Sequence, residues 1–292
     1  MCVWGLLVTI ESLIMALLLV AFYIVSERKI LSYIQLRKGP NKVGIAGLLQ
    51  SFADFIKLLG KSKIVEFGFR SWFSLFGCVV LACCALAVTE IYALVNSGFW
   101  SKWTVLFFLV VSSLLGYSAL LIGWCSWSKY SLISSIRVSF SSVMFEMVFM
   151  CVVILFGLMY DGYGNPNVSS VLLLIAPLMF VAWLMVLFSE NNRTPFDYAE
   201  SESELVSGIS VEYSSIFFLV IFAFEYLVMF MFSWVSCILF LGVSEVIIVV
   251  FLVLFIMMRG SFPRLRFDVF VSIMWESCVV IILLYLICLF SL

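Results

Sequence analysis

The 292-residue chain is 65% hydrophobic and 11% charged, with a formal net charge of −1. A soluble domain runs at roughly 45–50% apolar and about 25% charged, so this chain has too little polar surface to coat a water-facing globule, and it lacks the basic excess that binds nucleic acid. It also has no His, and its nine Cys contain no CxxC pair, which leaves no ready means of holding haem, an iron–sulfur cluster or another metal.

Spanning the hydrocarbon takes about 20 apolar residues per helix. The first apolar run, Val3–Val25, is too long for a signal-peptide core, lacks a basic leader and carries Glu11, so it reads as a retained span. The connection that follows, Ser26–Ser71, is long and patterned. Gly39, Pro40 and Gly44 are turn residues. Leu48, Leu49, Phe52, Phe55, Ile56 and Leu59 then recur at helical spacing, with Gln50, Asp54 and Lys57 among them. That pattern predicts an interfacial amphipathic helix, with Leu49, Phe52 and Ile56 towards lipid and Asp54 and Lys57 on the polar side. Further spans follow at Trp72–Val95, Trp103–Trp124, Leu132–Tyr160, Val168–Phe188, Val211–Leu239, Val243–Met258 and Val269–Leu292, the sixth and seventh separated by a tight turn near Gly242. No internal repeat is visible, which disfavours an inverted-repeat transporter. The expectation is a single all-α, polytopic membrane domain over residues 1–292 with about eight transmembrane helices. All the Cys except Cys125 lie in or beside apolar runs and read as small hydrophobes.

Lys and Arg set the orientation. Fifteen of the sixteen lie in the odd-numbered connections or, for Arg137, beside one, leaving Lys102 alone on the other side. The positive-inside rule places those connections in the matrix or cytoplasm and both termini outside. Phe, Val, Leu, Gly, Cys and Trp are plentiful, whereas His is absent and Pro numbers five. That favours codons rich in T and G over codons rich in C, a skew suited to a strand-biased organellar genome.

Glu11, Glu90, Arg137, Glu146, Glu225, Glu245 and Glu276 fall within or at the edges of spans. A charge at the bilayer centre costs about 2.5–3.5 kcal/mol on the insertion scale. Arg137, Glu245 and Glu276 are close enough to span ends to reach the interface, and Glu90 lies near an outer rim. Glu146 and Glu225 each stand 14 positions into a span that starts on the inside. At 1.5 Å per residue that is roughly 21 Å deep, past the middle of the hydrocarbon. Two carboxyls at matched depth point to a buried polar axis, whose members either take up and release protons or stay neutral and hydrogen-bonded between helices. The fifth connection, from Glu190 through Glu204, carries five acids and one Arg on the positive side and leads towards Glu225. This placement reads either as an inlet that gathers protons or cations or as a solvated acidic face.

Four stretches carry a family resemblance. They are Glu27-Arg28-Lys29 with Gln35 through Asn41; Gly47-Leu48-Leu49-Gln50 with Phe52-Ala53-Asp54 and Lys57; Glu190 through Gly208, followed by Val211-Glu212-Tyr213; and Phe262 through Asp268. Their order and spacing resemble the NADH dehydrogenase subunit 1 family and its bacterial counterparts over essentially the whole chain.

The resemblance implies eight transmembrane helices in the membrane arm of respiratory complex I, in the mitochondrial inner membrane with both termini on the intermembrane-space side. It implies a chamber that admits ubiquinone as a substrate, and a partner hydrophilic iron–sulfur subunit over the matrix loops. The chain itself would hold no redox cofactor. It further implies that Arg28, Arg37, Phe52 and Asp54 lie at the chamber's entrance or lining and Arg264 and Arg266 on its inner wall. Glu190, Arg193, Asp197, Glu200, Glu202, Glu204 and Glu212 match the acidic loop, and Glu146 and Glu225 match the buried carboxyls that begin the proton path. The sequence departs from the family pattern at Asn191, where Thr is common, and at Ser201, where Gly is common, which removes backbone freedom from that loop. No role carries over to Gly60-Lys61-Ser62-Lys63. Two alternatives remain open: a homologous subunit of a hydrogenase-type or ferredoxin-linked complex, and an autonomous ion transporter. A Cys introduced at Ser62 is expected to label from the matrix side and one at Asn165 from the opposite side; the reverse at either site breaks the eight-span topology.

Overall fold

A computed structural model describes residues 2–61, 69–98, 102–126, 128–160, 162–164, 171–199, 202–242 and 244–291. The described residues are helical with irregular connections and form no strand. Helix α1 runs Cys2–Ile34, α2 Gln50–Leu59, α3 Phe69–Asn96, α4 Thr104–Cys125 and α5 Lys129–Tyr160. Then come α6 (Val171–Ile175), α7 (Pro177–Glu190), the short α8 (Glu202–Leu205) and α9 (Ser215–Ser236). Helix α10 is Glu245–Ser261, α11 Phe267–Ser272 and α12 Val280–Ser291. Two π-helical stretches extend these elements: Cys237–Leu241 prolongs α9, and Ile273–Val279 joins α11 to α12.

Among the described residues, six helices are long and apolar enough to cross a membrane: Leu7–Ile34, Trp72–Asn96, Thr104–Cys125, Lys129–Tyr160, Ser215–Leu241 and Phe267–Leu289. They match expected spans one to four, six and eight. The fifth span is interrupted, because Pro177 has no N–H and forces the residue before it out of helical geometry. Ala176 sits at φ −132°, ψ 67° between α6 and α7. The seventh, α10, has 17 residues, about 25 Å of helix. It follows Gly242, whose φ of +84° suits a residue without a Cβ and makes the expected turn. Expected span six starts four residues late, so Glu212 stands in the turn before α9. Measured from Ser215, Glu225 is then about 15 Å along its helix. Helix α1 does the opposite and continues nine residues beyond the expected end at Val25, carrying Glu27, Arg28 and Lys29 on regular helix.

Aromatic side chains fill the core between α4, α5, α7 and α9. Phe108, Phe145 and Phe149 surround Phe232 with ring centroids 5.0–6.2 Å apart, and Trp183 packs between Phe149 and Phe240. Helices α4 and α5 meet through small residues. A Cβ on Gly116 would lie 2.3 Å from the Ser142 hydroxyl, and one on Gly123 2.3 Å from the Ser135 Cβ. In lipid, where apolar burial drives little helix association, such close backbone approach supplies the packing. The serines add no orphan groups, since Ser118, Ser134, Ser135, Ser141 and Ser142 each bond the carbonyl three residues back. Gly123→Ala is expected to force α4 from α5 and destabilise the folded chain by about 1–3 kcal/mol. Gly162→Ala meets nothing within 4 Å and is expected to stay within about 0.5 kcal/mol; thermal inactivation of the two variants checks the contrast.

Candidate functional site

The amphipathic helix α2 lies against α1 and α9. Its Phe52 ring packs edge-on against Phe22 of α1 at 5.9 Å, while Ile56 and Leu59 stay exposed to the lipid side. On the polar side, the Arg28 Nη1 donates to Asp54 Oδ2 at 2.8 Å, and Gln50 Nε2 donates to the other Asp54 oxygen at 3.0 Å. This clamp holds α2 to α1 at the rim of a cavity of about 500 Å³. Glu27, Arg28 and Leu31 line it from α1, Asp54, Phe55 and Leu58 from α2, and Phe218, Phe222 and Tyr226 from α9. Arg193 and Arg259 close its inner end. The walls are mostly apolar and aromatic with a few convergent polar groups, the usual make-up of a small-molecule site.

The polar groups at the inner end form one cluster. Glu27 is 4% exposed. One of its oxygens accepts from the Arg259 guanidinium and the other from the Tyr226 hydroxyl at 2.7 Å. Arg193, 8% exposed, stacks over the Tyr226 ring at 4.9 Å and the Phe222 ring at 5.9 Å. Its Nη2 stands 3.7 Å from Glu225 Oε2. A guanidinium cannot shed its charge, so carboxylate and ring faces are its means of staying buried.

Behind Arg193 lies a smaller cavity of about 60 Å³, lined by Glu190, Asn191, Asn192 and Glu225 with Ser141, Ser142 and Gly116. Glu146 does not line it, but its Oε1 lies 4.0 Å from where a Gly116 side chain would begin. Of the three expected carboxyls, Glu190 on α7 and Glu225 on α9 line this cavity, Glu225 also faces Arg193, and Glu146 on α5 lies near Gly116 in its wall. Among the described residues, no three His, Cys, Asp or Glu side chains converge as a metal-ligand set.

The other expected positions are distributed differently. Phe52 supports α2 from outside the cavity. Arg37 is exposed and bonds Gln35 without lining either cavity. Arg264 lies 3.8 Å from Glu204, which also accepts from Arg137 at 2.5 Å. The Arg137 hydrogen bond, with help from Arg264, holds the Glu204 carboxyl below the usual carboxylate range. This pairing is present above that range and lost as pH falls through the depressed value. Arg266 is 83% exposed beside Asp268. Asp197 is half-buried and Glu212 exposed, and neither lines the two cavities. Glu200 and the side chain of Glu202 lie outside the described residues.

Sequence reasoning did not single out Glu27, Tyr226 or Arg259. Glu27 lies beside a residue that was chosen, and Tyr226 directly follows Glu225. Arg259 counts in the sequence only as one of the fifteen cations on the inner side.

A model of the NADH dehydrogenase family matches residues 7–290. The chain belongs to this family. Among curated relatives it is 34% identical to NADH-ubiquinone oxidoreductase chain 1 of Mytilus edulis, covering 97% of this chain and 96% of that one. It is 36% identical to the protein of that name from Anopheles gambiae over 97% and 94% of the two chains. The counterpart from Apis mellifera ligustica is 33% identical over 97% and 96%. Family membership thus covers both cavities and every helix that lines them.

Removing one member of a buried ion pair leaves the other without compensation, at a cost of about 3–5 kcal/mol, whereas an apolar pair of similar volume is often neutral. Glu27→Leu is accordingly expected to impair folding and assembly strongly. Adding Arg259→Met should recover much of that loss; a double-mutant cycle on thermal stability measures the coupling.

Proposed function

We propose that this family member is a membrane subunit of the mitochondrial NADH–ubiquinone oxidoreductase, and that its larger cavity receives the quinone. The observation that carries the reading is the ion pair between the walls of the two cavities. An apolar, aromatic chamber opens beside an amphipathic helix and is lined by Arg193, whose guanidinium stands 3.7 Å from Glu225 in the wall of the smaller cavity.

A long-tailed quinone partitions into the apolar layer where α2 lies, so an opening there admits it without a passage through water. Phe55, Phe218 and Phe222 offer apolar surface to the ring and tail, and Arg28 offers hydrogen-bond donors at the rim. Quinone is the substrate, and electrons reach it from an iron–sulfur cluster in a hydrophilic partner subunit over the matrix loops. Reduction adds negative charge to the headgroup, which Arg193 and Arg259 are placed to stabilise at the inner end. Because Arg193 also faces Glu225, drawing its charge towards the quinone weakens its hold on that carboxylate and raises the carboxylate's proton affinity. Glu225, Glu190 and Glu146 would then take up the protons that begin the path into the membrane. The acidic loop from Glu190 to Glu204, with Asp197, Glu200, Glu202 and Glu212, supplies protons from the matrix side, and both termini face the intermembrane space.

Two substitutions test the two halves. Arg28→Lys keeps the charge but loses the planar fork. It is expected to slow quinone reduction while NADH oxidation by a hydrophilic acceptor, which draws electrons upstream, reports intact electron supply. Arg37→Lys, outside the described cavity, is expected to do so less. Glu225→Gln removes the titratable group and keeps its shape, so quinone turnover and proton pumping should fall together. Unchanged quinone kinetics in Arg28→Lys with assembly confirmed sinks the chamber role, and normal pumping in Glu225→Gln sinks the proton role.

A further inference from the structure

Asn191 follows the last residue of α7, its backbone N–H still bonded to the Leu187 carbonyl. Its side chain is 5% exposed, and neither the amide oxygen nor the amide nitrogen has a hydrogen-bond partner among the described residues. An interior amide left unpaired costs about 1–3 kcal/mol, and native interiors rarely leave both ends bare. The location accounts for it. Asn191 lines the 60 Å³ cavity that holds Glu190 and Glu225. It also lines a separate void of about 10 Å³ whose other walls include Glu27, Arg193 and Arg259. Those three residues are the ones that void shares with the large chamber. Asn191 is the one described residue common to the two smaller spaces.

We propose that Asn191 is a positioning residue that binds the ordered water joining the chamber's arginine-lined end to the carboxyl cavity. A water needs about 10–15 Å³ and two to four polar partners. The void offers space for one molecule and the larger cavity for a few. A primary amide suits the joint because its oxygen accepts while its nitrogen donates two bonds. It holds a water on each side without itself changing protonation. A proton relayed from the chamber's inner end to Glu190 crosses there: the water that receives it releases another to the carboxyl, with no net change at Asn191. The inference rests on the proton role proposed above for Glu190 and Glu225.

The test compares Asn191→Leu with Asn191→Ala in the assembled complex, with quinone-linked turnover normalised to NADH oxidation by a hydrophilic acceptor. Leu fills the space and dries it, so turnover is expected to fall about tenfold or more, with a larger solvent deuterium isotope effect. Ala leaves room for a further water, which bonds nearly as well as the amide, so turnover is expected within about twofold of the parent. A residue that served packing alone would give the reverse order, because Leu conserves volume and Ala opens a cavity. Should the Leu variant assemble too poorly to assay, Asn191→Thr and Asn191→Val provide a pair of the same shape that differ in one hydroxyl. Turnover retained in Thr and lost in Val supports the water site. Leu no worse than Ala, or Thr equal to Val, overturns it. If Glu225→Gln blocks pumping while these pairs show no difference, the Asn191 inference alone fails; normal pumping in Glu225→Gln removes the proton path beneath it.

Discussion

The contact between the buried Glu27 carboxylate and the half-buried Arg259 organises the inner half of the molecule. Its partners are 232 residues apart in the chain, and taking a carboxylate out of water costs several kcal/mol unless its oxygens are satisfied. Tyr226 uses the second Glu27 oxygen, and the face of the same ring carries Arg193. Arg193 in turn reaches Glu225. No member can be removed without stranding another, so α1, α9, α10 and the loop after α7 are held in one arrangement. An apolar replacement of similar volume could be equally stable.

The α4–α5 contact supports the other side of the same region. Gly116 and Gly123 bring the two backbones together, and the serines facing them turn their hydroxyls back onto their own helix. Close approach leaves little room between the helices, and it sets Glu146 against Gly116 at the edge of the carboxyl cavity. Packing and chemistry are coupled there. A methyl group added for helix propensity would spread the wall that positions a carboxyl.

Features written in local composition were legible in the sequence. Runs of apolar residues mark the long helices, apolar residues at helical spacing mark α2, and carboxyls inside apolar runs single out Glu146 and Glu225. Pairing across the fold was not legible. Nothing local to Glu27 shows that Arg259 faces it, and Arg259 read as one more inside charge because the orientation rule counts cations without asking what they touch. The helix break at Ala176 could have been seen, since Pro177 announces it, but the apolar run masks it when hydropathy is averaged. The π-helical stretches at Cys237–Leu241 and Ile273–Val279 follow from packing around neighbouring helices and leave no simple signature in residue type.

The nine extra residues of α1 have a mechanical consequence. Glu27 and Arg28 are consecutive on a regular helix of 33 residues, so they face directions about 100° apart on one stiff rod. Arg28 is fastened to α2 at the lipid boundary, and Glu27 is fastened to Arg259 and Tyr226 deep inside. A helix resists twisting within a single residue, so any displacement of α2 acts on α1 as a torque. The inner fastening is where that torque is resisted. The α2 clamp and the innermost charges thus share a shaft, and pressure on one bears on the other.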